Sequence, residues 1–292
     1  MMTRIILGFA TAKPRSKSVV FSAVAALFSV AIGLPAHAQT VTGQWEFNGD
    51  YTAQIGSAIT GINGTWNFAT EAIGGESAQV AQFAAGTSTA TDPFLTIVHG
   101  VAANGGSRAN RYTILMDVRL APVTGFVSLY QTDVTNASDG DWFVRGDRGM
   151  GISGDYTDAG NATRFADNVW NRIALTIDTT TAAGSTESTV YRSYVDGVLQ
   201  NVVASPSGWG ADGRYSLDLN SFLLFADEDR ETSSGAINAL QVRDYAMSAA
   251  EIAALGGAKA SGFVVATVVP EAGTLALVLP VILGVAALRR RK

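Results

Sequence analysis

Residues 112–120 alternate. Tyr112, Ile114, Met116, Val118 and Leu120 share one face of an extended chain, and Thr113, Leu115, Asp117 and Arg119 share the other. A period of two fits a strand, because a helix would repeat its apolar residues every three to four positions. One apolar and one mostly polar face predict a strand half buried in an antiparallel sheet. Comparable β-rich runs occupy 44–47, 65–68, 94–98, 125–131, 142–145, 170–177, 189–195, 198–203 and 215–225. Gly, Asn and Asp punctuate them. Many short strands with turn chemistry between them predict an all-β chain folded as an antiparallel sandwich or jelly roll.

Two local signals are sharper. Asp196-Gly197 separates two alternating runs, and both residues tolerate the positive φ that a type I′ hairpin turn demands. Ser248-Ala249-Ala250-Glu251 is a capping box, with Met247 and Ile252 spaced as a hydrophobic staple and Gly256-Gly257 as the stop. These predict one short helix over 249–255, followed by a spacer over 258–268.

The body resembles the laminin-G-like and concanavalin A-like jelly rolls. The segments that carry the resemblance, in order, are 139–145 followed by 149–154, 170–178, 194–199, 223–229 and 240–252, the last reading as a strand leading into the capped helix. The match is good over 112–257 and rests on strand content alone over 41–111. It implies a sandwich domain over 39–257 that binds glycans or proteins, in some members with calcium.

Both ends carry different chemistry. Arg4, Lys13, Arg15 and Lys17 precede the apolar stretch 19–34, and Ala36-His37-Ala38 supplies an A-x-A site. This is the pattern of a signal peptide over 1–38, cut so that Gln39 begins the mature chain. At the other end Pro270-Glu271 precedes an apolar segment over 274–288 and the basic end Arg289-Arg290-Arg291-Lys292. As a helix that segment would be about 22 Å long at roughly 1.5 Å per residue, short for a bilayer core but within reach of a thinned one. Its basic end would stay cytoplasmic. The stretch 269–292 resembles the PEP-CTERM sorting signal of Gram-negative bacteria, with Ala272 where that family usually has a second proline. The resemblance implies recognition by an exosortase-type membrane protease, after passage through the export translocon and signal peptidase. It implies an inner-membrane intermediate and a final place at the cell surface or in the extracellular matrix.

Composition narrows the function. Of 20 Lys and Arg, four lie in the leader and four in the tail, leaving 12 against 24 of the 25 Asp and Glu, so residues 39–270 carry a formal charge of −12. Nucleic-acid binding needs the opposite sign and is excluded. There is no cysteine, so an exported body relies on its core, and roughly 220 residues suffice for one β domain. His37 leaves with the leader, so His99 is the one histidine available. A Ser-His-Asp triad or a histidine-rich zinc site has almost nothing to build on, and His99 reads as a strand-end residue.

The acidic loop Asp227, Asp229, Glu231 is the strongest site signal. Its alternation resembles the carboxylate array of concanavalin A-like glucanases, but Glu228 and Arg230 charge the other face as well, which a catalytic strand backed by a core would not tolerate. The chain is therefore read as no enzyme. Oxygen donors so placed read first as a self-capped solvated turn, with Ca²⁺ as the alternative. Asp139, Asp141 and Asp147 offer the same alternatives less strongly. Trp45, Trp142 and Trp170 read as core, and Trp66 is ambiguous. Trp209, in a glycine-rich loop, is the residue expected to stack on a sugar. The ligand expected is an extracellular polysaccharide or a surface protein, the alternatives being a purely structural matrix role and, behind it, a divergent glycoside hydrolase of the concanavalin A-like fold.

Overall fold

The computed structural model describes residues 39–134, 140–152, 155–157, 165–180, 189–204, 210–227 and 229–263. In chain order the strands are β1 (Val41–Trp45), β2 (Gly61–Asn63), β3 (Trp66–Ile73), β4 (Glu76–Phe83), β5 (Phe94–Ile97), β6 (Arg111–Leu120), β7 (Phe126–Gln131), β8 (Asp141–Arg145), β9 (Met150–Ile152), β10 (Asp155–Tyr156), β11 (Asn171–Asp178), β12 (Thr189–Val195), β13 (Val198–Ala204), β14 (Phe222–Leu224) and β15 (Gly235–Arg243). The helix α1 (Ala249–Leu255) follows. One antiparallel sheet runs β13-β12-β11-β6-β15-β4-β3, and the other runs β10-β9-β8-β7-β14-β5-β2. This is the antiparallel β-sandwich of jelly-roll type expected from the alternation.

In the first sheet β15 lies between β6 on one side and two partners on the other. Gly235–Ile237 pair with β4, and the later residues pair with β1. A bulge between Ile237 and Ala239 re-phases β15, so that Ile237, Leu240 and Val242 all face the core while Ala236, Ala239 and Gln241 do not. The core between the sheets is filled from both sides. Ile114, Met116, Val118, Ile173 and Leu175 come from one sheet, and Leu95, Ile97, Leu129, Val144 and Leu224 from the other. At roughly 1.5–3 kcal/mol for each large apolar side chain removed from water, such a layer can hold the fold without disulfides. Trp142 lies flat on Tyr191 at 4.4 Å, and the Tyr191 hydroxyl meets that of Tyr130.

The local signals hold. Asp196 and Gly197 sit at φ 50° and 83° between β12 and β13. The Ser248 hydroxyl accepts from the Glu251 N–H while the Glu251 carboxylate accepts from the Ser248 N–H at 2.8 Å. A second two-residue hairpin, Gly74-Gly75 at φ 60° and 89°, joins β3 to β4, so the 65–68 run is only the start of a longer strand. The 215–225 run is a correction. Only Phe222–Leu224 is strand, and Leu217 makes an isolated bridge to Ala109.

A larger correction concerns the outer face of β6. Thr113, Leu115 and Asp117 are fully buried there, not solvated. The cover is the chain's own C-terminal segment. Met247 and Ile252 of the staple, with Phe263, pack on Leu115, Ala174, Tyr194 and Ala239. The spacer prediction fails in its first part, because 258–263 is seated on the sheet. The Asn238 amide donates to the Lys259 carbonyl at 2.9 Å, and Phe263 is 5% exposed. Among the described residues no helix is long and apolar enough to cross a membrane. Ala36 and Ala38, the sorting residues Pro270, Glu271, Arg289, Arg290 and Arg291, and the apolar segment 274–288 lie outside the described residues.

Candidate functional site

Ile173, Leu175 and Ile177 of β11 face the core. Arg172, Ala174 and Thr176 therefore face outward, and Trp170 shares their parity. The indole is consequently outside the core between the sheets and sits half buried against the smaller cluster of Ile73, Ala78, Val80 and Ala236. It lines a surface groove of about 490 Å³ with Asn168 and Val169 beside it, Ala72, Ile73 and Gly74 from the β3 end, Asp196 from the hairpin, and Gly257 and Ala258 from the segment after α1.

The groove is held from below. Arg119 of β6 stands 5.9 Å from the Trp170 ring centre and donates twice to Glu71 of β3, at 2.8 and 2.6 Å. Gln82 donates to the same carboxylate at 2.7 Å. Burial would raise the Glu71 pKa, but the hydrogen bonds from Arg119 and Gln82 prevail and hold it below its usual value. The loop ahead of Trp170 is pinned by one side chain. The Asn171 amide donates to the Ala166 and Val169 carbonyls at 3.0 and 2.7 Å, and its oxygen accepts from the Ala166 N–H at 3.2 Å. Asn168 sits at φ 56° and gives its N–H to the Leu120 carbonyl. Asparagine is among the residues that take this left-handed conformation most readily, so the turn forms here without a glycine. Asp196 accepts the Arg172 N–H through Oδ1 at 2.9 Å. The wall opposite is a glycine, and a Cβ on Gly257 would come within 3.2 Å of that oxygen. A planar aromatic surface, a carboxylate and an amide thus border a shallow groove on a rigid frame. That combination can take an apolar sugar face and bond its hydroxyls.

The sites anticipated in the sequence behave differently. Asp227 caps its own turn, its Oδ2 accepting from the Asp229 and Glu231 N–H groups at 2.8 and 3.3 Å. Asp227 and residues 229–231 lie outside the strands, so their alternation is not that of a strand. Arg230, at φ 65°, ties the loop to Asp92 at 3.0 Å. Asp227 does line a second, smaller cavity of about 190 Å³, with Asp92, Phe94, Gln131 and Leu223. Asp141 is on β8 and Asp147 pairs with Arg145 at 2.6 Å; Asp139 is outside the described residues, as is Trp209. Among the described residues no three acidic or histidine side chains converge as a metal would require. His99 is fully buried, its Nδ1 accepting from the Val101 N–H, which leaves Nε2 to donate to the Asp218 carbonyl at 2.6 Å. Burial lowers its pKa, so it is a neutral structural residue. Trp45 and Trp142 are core as expected, while Trp66 is half buried against Phe83 at 4.9 Å. The in–out parity of 170–177 is the signal that separates Trp170 from them.

No family model matches the chain, and no curated protein does. Solved structures do. Domain 4 of AbnA, a GH43 extracellular arabinanase from Geobacillus stearothermophilus, in complex with arabinotriose, aligns at 14% identity and a TM-score of 0.51, covering 75% of this chain and all of that one. The receptor-binding domain of botulinum neurotoxin type G aligns at 11% identity and TM-score 0.45, covering 74% of this chain and 50% of that one. The CBM40 domain of the Ruminococcus gnavus IT-sialidase, bound to α2,3-sialyllactose, aligns at 16% identity and TM-score 0.40, covering 61% and 96%. At such identities the likeness to the arabinanase domain is one of fold.

Proposed function

We propose that this chain is an exported, surface-sorted protein whose β-sandwich binds extracellular carbohydrate without catalysis, and that the Trp170 groove is where it binds. The observation that carries this reading is Trp170 itself, an indole lining a surface groove that Asn168 and Asp196 also line. The solved arabinanase domain of the same fold holds arabinotriose, which supports a linear oligosaccharide as ligand. The non-catalytic half rests on Asp227, whose carboxylate is engaged by backbone amides of its own turn. The leader ending at Ala38 and the tail 269–292 support export through translocon and signal peptidase, recognition by an exosortase-type protease, and a place on the surface of a Gram-negative cell.

Calorimetry with the full chain and a panel of neutral oligosaccharides, arabinotriose among them, tests the binding. We expect saturable binding to at least one member, at least tenfold weaker after Trp170→Ala, and no reducing-sugar release. A panel that gives no saturable binding sinks this reading and leaves a purely structural matrix role. Mass spectrometry of the surface fraction tests the address, with Gln39 expected as N-terminus and no peptide containing Arg289–Arg291. An intact tail on all recovered protein would reduce the tail to a membrane anchor.

A further inference from the structure

The segment after α1 is fastened to the sheet by charge. Arg172 donates from Nε and Nη2 to the two oxygens of Asp117, both at 2.7 Å, and reaches the Leu255 and Gly262 carbonyls at 3.1 Å. The Lys259 N–H donates to Asp117 Oδ2 at 3.2 Å. Glu46, one residue beyond β1, completes the cluster. Its Oε1 accepts from Gln44 Nε2 at 2.6 Å and from the Phe263 N–H at 3.4 Å, and the same Gln44 nitrogen donates to the Phe263 carbonyl at 2.9 Å. The Phe263 ring covers the Arg172 guanidinium at 4.4 Å. Gly262, at φ 62°, lies so close to the Glu46 carboxylate that a Cβ would overlap it.

The charges in this cluster do not balance. Glu46 and Asp117 share one guanidinium, and Asp196 adds further negative potential at Asp117. From β15, Gln241 donates to Gln44 at 2.7 Å and is itself held by Arg243 at 2.8 Å, so two glutamines stand between the second cation and Glu46. The segment brings only backbone groups and Phe263 onto this cluster, and the Lys259 residue is exposed. Seating it removes water from two carboxylates and one cation, which favours holding a proton.

We propose that residues 256–263 form a latched strap with Glu46 as the latch, and that seating of the strap is linked to ligand binding in the Trp170 groove because the strap supplies the groove wall at Gly257 and Ala258. The latch stands on its own, and the linkage rests on the carbohydrate reading. Burial pushes the Glu46 carboxyl up to about 7 from its ordinary 4.5, and burial raises Asp117 despite its bonds to Arg172. Both shifts have the same sign. The seated strap has its full stability below about pH 4.5 and loses it as the pH rises through about 7.

Hydrogen exchange of the full chain, corrected for intrinsic rates, reads the strap directly. Between pH 5 and pH 8, protection of 256–263 should fall at least tenfold, the equivalent of one pKa unit, and the strap should stay less protected throughout than the β11 and β6 amides, which exchange only by global unfolding. Glu46→Gln, which keeps a hydrogen-bond acceptor but cannot ionise, should abolish that dependence. Gly262→Val should expose the strap at every pH. A flat profile in the parent, or the parent's profile retained in Glu46→Gln, overturns the latch. With arabinotriose as probe, strap protection should rise on binding, and affinity should be higher at pH 5 than at pH 8 in the parent but equal in Glu46→Gln. A strap that titrates while the affinity does not follow overturns the linkage and leaves the latch. No binding in calorimetry removes the carbohydrate reading and, with it, the linkage alone.

Discussion

The two outer faces of this sandwich begin from the same alternation and end differently. On the first sheet the outward residues include Leu115, Ala174, Tyr194 and Ala239, and the chain covers them with Met247, Ile252 and Phe263. The charges trapped beneath, Asp117 and Arg172, are paired and bonded to the covering backbone. On the second sheet the register sets Thr96, Leu223, Gln131 and Asp141 in one outward row, with Ser128 and Phe143 in the next. Among the described residues no helix lies on this face. Phe126 is 41% exposed, and Phe126, Phe143 and Tyr156 form a partly open aromatic group with Arg145 at 4.4 Å from the Tyr156 ring. A polar residue facing outward from a sheet therefore has no fixed fate, and what the rest of the chain lays over it decides.

The largest test of this contrast compares two residues that are both fully buried on outward faces, Asp117 and Ser128. Asp117→Ala leaves the Arg172 guanidinium buried without its carboxylate and should cost about 3–5 kcal/mol in urea unfolding. Ser128 Oγ has no hydrogen-bond partner among the described residues, so Ser128→Ala should change stability by less than about 0.5 kcal/mol and could raise it. Equal costs at the two positions would erase the distinction between the faces. Next in size is pH. Glu46 is 8% exposed with its pKa at about 7 against 4.5, so global stability should fall by up to about 3 kcal/mol as the pH rises from 4.5 through 7, and Glu46→Gln should flatten most of it. Smaller effects belong to the covering elements. Gly197→Val forces a β-branched residue to φ 83° against the Ala253 backbone and should cost about 1–3 kcal/mol. Ser248→Ala removes the cap of α1 and should cost about 1 kcal/mol. Guanidinium melts of both variants check this, and parental midpoints would mean that the helix contributes nothing to closing the first face.

Much of the fold was legible because its signals are local. Alternation, Asp196-Gly197 and the Ser248–Glu251 box each depend on residues within a few positions of one another, and each has its expected geometry. What failed depends on long-range cover. Asp117 is read as solvated because nothing near it in sequence announces that Lys259 and Gly262 will close over it. The strand β4 was missed although Gly74-Gly75 is a hairpin signal, because Glu76-Ser77-Ala78-Gln79 shows too little apolar alternation. Trp170 was legible in principle. Its parity opposes that of Ile173, Leu175 and Ile177, but an aromatic ahead of an apolar run invites a core assignment until the faces are counted.

The smallest expected effect concerns the second face, where the acidic loop borders the cavity of Phe94, Gln131 and Leu223. Were Ca²⁺ to bind there, this face would gain an ordered site and the contrast with the first face would weaken. The carboxylate of Asp227 already accepts two backbone N–H groups, from Asp229 and Glu231, which a cation would have to displace or share. Arg230 crosses from the loop to Asp92 and places a positive charge on the cavity side. A ligand that binds only the native state raises stability by RT ln(1 + [L]/Kd), so a site with millimolar Kd at millimolar Ca²⁺ contributes about 0.4 kcal/mol. Melts in 2 mM Ca²⁺ and in chelator should therefore superimpose within about a degree, while Asp227→Asn should cost less than about 1 kcal/mol because an amide oxygen can still accept. A rise of several degrees with Ca²⁺ that disappears in Asp227→Asn would show that the turn geometry rearranges around a cation, and that the second face, too, has a cover of its own.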